Sequence, residues 1–156
     1  MDRRKTTTTV AAKEITILVG DVVNYPDTGP SLQDRHAHVI VGIVENRLVS
    51  VPICSWFDEC DKTSVIEVGE VPWKIVKHRS YIEYASATSR QREEVYDLVR
   101  NDPKLKVKCP SLPFLKKVKD GLLTSPDLPK WACLIFRPAV MRRTGRILPV
   151  IPSKED

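Results

Sequence analysis

The residues of this 156-residue chain that could combine acid–base chemistry with a basic patch are unevenly placed. The stretch "GEVPWKIVKHRSYIEYASATS", residues 69–89, holds Lys74, Lys77, His78 and Arg79, followed by Glu83 between Tyr81 and Tyr84. A carboxylate on such a stretch could serve as a base, and the cations form a basic patch that suits a polyanion. The same residues also read as a solvated strand in which Glu83 is merely a partner for Lys74 or Arg79. His36 and His38 share one face of a strand, either as a proton shuttle or as a pair of surface imidazoles. Trp56 and Trp73 can stack on bases or fill the core.

Other chemistries find less support. The cysteines Cys54, Cys60, Cys109 and Cys133 form no CxxC pair and read as free thiols, with Cys54 a small core residue in an apolar run. His36, His38, Cys54 and Cys60 could offer zinc four soft ligands. The histidines sit in a strand-like run, however, and the cysteines lack knuckle spacing, so no metal and no cofactor is expected. The chain shows no nucleophilic triad, no Gly-rich phosphate loop and no repeat.

The elements that must position these residues follow from punctuation and period. Residues 1–13 are polar, with a run from Thr6 to Thr9, and read as a frayed tail before a first strand over "EITILVGDVV". "NYPDTGPSLQDRH" gathers turn formers into a long loop. "HVIVGIV" and "LVSVPIC", separated by Glu45, Asn46 and Arg47, form a hairpin whose apolar runs imply cover on both faces. "SWFDECDKT" is a second loop, and "SVIEV" a short strand ended by Gly69. In "SYIEYASAT", Tyr81 and Glu83 share one face and Ile82 and Tyr84 the other. About five short strands before residue 89 suit a small twisted antiparallel barrel.

The period then changes. Thr88 and Gln91 as a capping box, Arg90 and Glu94 at i,i+4, and the stripe Val95, Leu98, Val99 predict a helix over 89–100, stopped by Pro103. "SLPFLKKVKDGLLTS" predicts a second helix with Phe114, Leu115, Val118 and Leu122 inward, weakened near its end by Gly121. "KWACLIF" predicts a last strand or a buried extended segment. The expected class is α+β, mainly β. A single domain over 14–136 consists of a barrel over 14–88 and a helical extension over 89–136, followed by a basic, proline-containing tail over 137–156.

Apolar content of 42% and charge of 29% lie near globular averages, against disorder and against a coiled coil. A net charge of +5 suits a polyanionic partner without demanding one. No apolar run approaches the roughly 18 residues of a membrane span, and "MDRRKTTTTVAAKEIT" lacks the apolar core of a signal peptide, so a cytoplasmic protein with no membrane partner is expected.

The order of segments adds a family. A strand ending "GDVV", a Pro/Gly loop, the strand start "DRHAHVIV", then "VPICSW", "VIEVGE" and "SYIEYASAT" together resemble the PemK/MazF-like toxins over residues 14–90. "GEVPWKIVKHRSYIEYASA" and "GLLTSPDLP" are similar to phrases of members with a longer C-terminal helical extension. The resemblance implies an SH3-like barrel, usually a homodimer, with an antitoxin protein as a possible partner. In active members it cleaves single-stranded RNA without a metal, through attack of the ribose 2′-hydroxyl on the adjacent phosphate. It also implies roles. Gly20 and Asp21 form a structural turn; Arg35, with His36 as its rival, meets the phosphate; Ser55 hydrogen-bonds a phosphate oxygen; and Glu83 is the base, assisted by Tyr81. His36, His38, Lys74, Lys77, His78 and Arg79 then hold the RNA. Two departures oppose catalysis. Tyr81, a donor without charge, stands where some members carry arginine, and Cys54 stands where they carry a hydroxyl. The alternative is a non-catalytic SH3-like module that keeps the fold and binds nucleic acid or a protein partner.

Overall fold

The structure is a computed structural model that describes residues 14–25, 36–72 and 74–138. Within them it is α+β, with a largely antiparallel seven-stranded sheet and three α-helices. The elements are β1 (Val22–Tyr25), β2 (His36–Val44), β3 (Arg47–Ser55), β4 (Val65–Ile66), β5 (Ser80–Ile82), β6 (Thr88–Gln91), α1 (Arg92–Asn101), β7 (Lys106–Val107), α2 (Leu112–Thr124) and α3 (Lys130–Phe136). The strand order is β4-β5-β3-β2-β1-β7, with β6 also paired to β3. No pairing joins β4 to β7 among the described residues, so the sheet is open and the expected closed barrel is not formed by these ladders.

The β2–β3 hairpin is its centre. The two runs of branched residues pair from Ala37↔Ile53 to Val44↔Arg47, around a two-residue turn at Glu45 and Asn46. Successive side chains of a strand alternate between faces, and here both faces are covered. Val39, Val41, Val49, Val51 and Ile53 pack with Phe114, Val118 and Leu122 of α2 and Ala132 of α3. Ile40 and Leu48 pack on the other side with Val95 and Val99 of α1 and with Ile17 and Val23. Among the described residues no helix is long and apolar enough to cross a membrane.

Several local expectations are corrected. The first strand begins at Val22 rather than Glu14, because the chain turns at Gly20, whose φ of +102° favours glycine. Asp21, 4% exposed, then accepts from Leu18 N and Cys109 N and pairs with Lys106 at 3.4 Å, which ties β1 to β7. "KWACLIF" is a helix rather than a strand, with Ala132 fully buried. The predicted helix over 89–100 starts late. Residues 88–91 instead form β6 along Arg47–Ser50, Gln91 caps α1 without a side-chain bond, and the Thr88–Gln91 capping box does not form. Ladder bonds and the Arg47 guanidinium on Ser89 outweigh one cap. The sheet therefore runs past residue 88, taking in β6 and β7. The tail from 139 onward lies outside the described residues.

"SYIEYASAT" is also not one strand. Its ladder with β3 stops at Ile82, and Tyr84–Ser86 make a 3₁₀ turn before β6 begins. Tyr84 enters the main core, where its hydroxyl donates to Val118 O at 2.9 Å and meets Ser64 Oγ at 2.8 Å. Gly121 of α2 makes room for it. A Cβ there would lie 1.9 Å from the Tyr84 hydroxyl, so the glycine that weakens the helix is what lets α2 dock. Gly121→Ala should lower stability by about 3 kcal/mol or more, the upper end of overpacking costs, whereas Tyr84→Phe should cost only about 1–3 kcal/mol. Urea unfolding followed by circular dichroism measures both, and a Gly121→Ala protein as stable as the wild type would refute the contact.

Candidate functional site

Two adjoining concavities bring together most of the residues singled out from the sequence. The smaller, about 240 Å³, lies on the α1 side of the sheet, beyond the part that α1 covers. Alternation builds it: His36 and His38 from β2, Pro52 and Cys54 from β3, and Thr88 and Arg90 from β6 are all even-numbered and face the same way. The turn after β5 adds Glu83 and Ser86. The larger, about 520 Å³, shares His36 and Cys54 with the first and carries Lys74, Lys77, His78 and Lys104. Among the described residues no carboxylate lines it, and the charges its lining residues bring are of one sign.

Glu83 is held by three donors. Oε1 accepts from the Tyr81 hydroxyl at 3.0 Å and the Cys54 thiol at 3.3 Å, and Oε2 accepts from the Ser86 hydroxyl at 2.8 Å. Its backbone N–H donates to Pro52 O, which keeps the turn against β3. Burial alone would raise its pKa. The bonds from Ser86, Cys54 and Tyr81, with the nearby charge of His36, outweigh that and hold the carboxyl below the ordinary glutamate range. Tyr81 moves the opposite way: burial first, then the bond to Glu83 and its charge, push the phenol well above its ordinary value. At neutral pH the pair is therefore an ionised acceptor and a protonated donor.

The remaining predicted residues divide. Ser55 Oγ lies 2.7 Å from His78 Nε2 at the rim of the larger concavity. His38 is not a surface imidazole: it is 2% exposed, with Nδ1 3.3 Å from Ser50 Oγ, which in turn lies 3.1 Å from Thr88 Oγ1. Tyr81, 4% exposed, lines neither concavity and reaches the site only through Glu83. Arg79 turns away; it pairs with Glu67 at 3.1 Å and lies over the Trp56 ring, 4.7 Å from its centroid. Arg35 and Trp73 lie outside the described residues. The zinc set considered from sequence is not assembled, for no three His, Cys, Asp or Glu side chains cluster for a metal among the described residues.

Arg90 is the residue that sequence reasoning misplaced. The i,i+4 spacing predicts a helical pair with Glu94, and the ion pair forms at 3.6 Å, but it forms from β6, where Arg90, its side chain 18% exposed, lines the pocket of Glu83. Reading 88–91 as a strand would have put Thr88 and Arg90 on one face of it; the register with β3 makes that the face of His36 and His38. Lys104 was passed over as well, because only the β1–β7 pairing brings that segment to the basic concavity.

No protein-family model matches the chain, and no curated protein matches it in sequence.

The Glu83 shift has a sign that can be measured. At a pH between its folded value and the ordinary one, the unfolded chain holds a proton that the folded chain does not. The stabilisation is thus complete above the ordinary carboxyl value and is lost as pH falls through the folded one. Glu83→Gln should flatten the acid side of the stability curve, and Ser86→Ala should flatten it in part. Urea midpoints taken at intervals below neutral pH test this; superimposable curves for wild type and Glu83→Gln would mean that the carboxylate stabilises nothing.

Proposed function

We propose that this protein binds single-stranded RNA along the joined concavities and cleaves it without a metal by 2′-hydroxyl attack. This is the PemK/MazF-like reading, with the bent, open sheet taken as an SH3-like barrel whose closing edge is left unpaired. One observation carries it: a carboxylate–imidazole pocket shares a wall, His36 and Cys54, with a groove lined by Lys74, Lys77, His78 and Lys104. The lysines suit a phosphate backbone, whose attraction is sequence-independent and sensitive to salt.

The proton transfer falls to His36 rather than Glu83. A carboxylate that already accepts from three donors and sits below its ordinary pKa is a weak base and a good fixed charge. An imidazole nitrogen can take up and release a proton, and His36 stands where the two concavities meet. In the step proposed, His36 takes the 2′-hydroxyl proton, O2′ bonds to phosphorus, and the bond to the 5′ oxygen breaks. The products are a 2′,3′-cyclic phosphate and a 5′-hydroxyl that gains a proton. Lys74 and Lys77 meet the charge on the phosphate.

The three donors already on Glu83, which hold it as a fixed charge, also favour a second reading, the module that binds without cleaving. Mixed-sequence single-stranded RNA incubated in EDTA separates the two. Cleavage leaving cyclic phosphate ends, slowed about 100-fold or more by His36→Gln, is the expected result. Binding should weaken steeply with salt and further with Lys74→Gln plus Lys77→Gln. Binding without cleavage would leave the non-catalytic module, and binding indifferent to salt would remove RNA from either reading.

A further inference from the structure

The smaller concavity is lined by Glu83 on one side and by Arg90, whose guanidinium also pairs with Glu94 at 3.6 Å, on another, and the proton transfer at His36 uses neither as its base. Its volume of about 240 Å³ falls below the roughly 300–1,000 Å³ of sites for drug-sized ligands, so it suits one part of a nucleotide. That part is not a phosphate. A phosphate there would face Glu83, and two like charges in a half-enclosed site repel. The lysine-lined groove next door has no such opponent. A nucleobase is uncharged and presents both donors and acceptors at its edges.

The two walls also select among bases. A carboxylate only accepts and a guanidinium only donates. Oε2 of Glu83 accepts from Ser86 alone, and one of the two donors on Oε1 is the weak Cys54 thiol, which a stronger donor can displace. The carboxylate can therefore take two neighbouring N–H groups. Guanine offers two on one edge, N1–H and N2–H, and two acceptors, O6 and N7, on the next, where arginine binds them bidentately. Adenine and cytosine offer one amino group to a carboxylate, and uracil one ring N–H. Unstacked bases of single-stranded RNA are read at these edges.

We infer that the pocket between Glu83 and Arg90 is a base-reading subsite selective for guanine. The strand's phosphates then lie in the Lys74–Lys77 groove, and its ribose lies at the wall formed by His36 and Cys54. This inference rests on the RNA-binding reading.

The probes are four pentanucleotides, U-U-N-U-U, with 2′-deoxyriboses so that they cannot be cleaved, differing only in the central base and measured by fluorescence anisotropy at low salt. The guanine probe should bind about tenfold or more tightly than the other three, the discrimination expected of a bidentate pair. Glu83→Gln and Arg90→Gln should each abolish the preference. Arg90→Lys, which keeps the charge but loses the fork, should abolish it too, and it serves as the test if the other two do not fold. Lys74→Gln with Lys77→Gln should weaken all four probes alike. Equal binding of the four by the wild type, or a guanine preference that survives Arg90→Lys, overturns the subsite while leaving RNA binding intact. Binding of none of the four overturns the subsite, and failure of the His36→Gln protein to bind the same four probes made with riboses overturns RNA binding as well.

Discussion

The backbone of β3 is the constraint on which the rest of the structure depends. One edge is taken by β2 along most of its length, and the other is shared in succession by β6, at Arg47–Ser50, and β5, at Ile53–Ser55. Two strands that are close in the chain cannot both follow one edge unless the segment between them leaves the sheet. Residues 83–87 do so as a 3₁₀ turn, anchored by Glu83 N on Pro52 O. That turn faces two ways. Tyr84 goes inward to α2, while Glu83 and Ser86 go outward to the pocket.

Fold stability and site geometry are therefore set at the same place. Tyr84, Gly121 and Ser64 bind the turn to the helical layer. A turn held so firmly from behind can keep a carboxylate at one position in front. The donors on Glu83 then do more than satisfy a half-buried charge. They favour its ionised form and fix the direction of its oxygens. The lysines meanwhile stand in a separate concavity, which lets one surface offer a carboxylate and a cationic groove without the two cancelling.

Most of the fold was legible in local pattern. The β2–β3 hairpin, the covering of both its faces and the inward residues Phe114, Val118 and Leu122 of α2 all follow from spacing, because branched alternation and 3.6-residue stripes arise from backbone geometry alone. In two of the corrected segments, two local preferences are nearly balanced. Residues 88–91 carry a fair helix start yet become a strand, and 130–136 carry a strand-like composition yet become a helix. In each case long-range packing decided, at β3 for the first and at the α2 layer for the second.

By itself, then, the sequence determined the α+β class, the central hairpin, and the presence of Glu83, His36 and the lysines as groups able to meet a phosphate and a proton. Their types and their positions along the chain are local facts. The tertiary structure alone decided which of them meet. It buried His38 against Ser50, turned Arg79 onto Trp56, placed Tyr81 behind Glu83, and brought Arg90 and Lys104 to concavities that no spacing announced. The physical reason is that a pocket lies between strands distant in sequence. Its composition depends on register and on where the chain leaves the sheet, and here both are set by competition for one edge of β3.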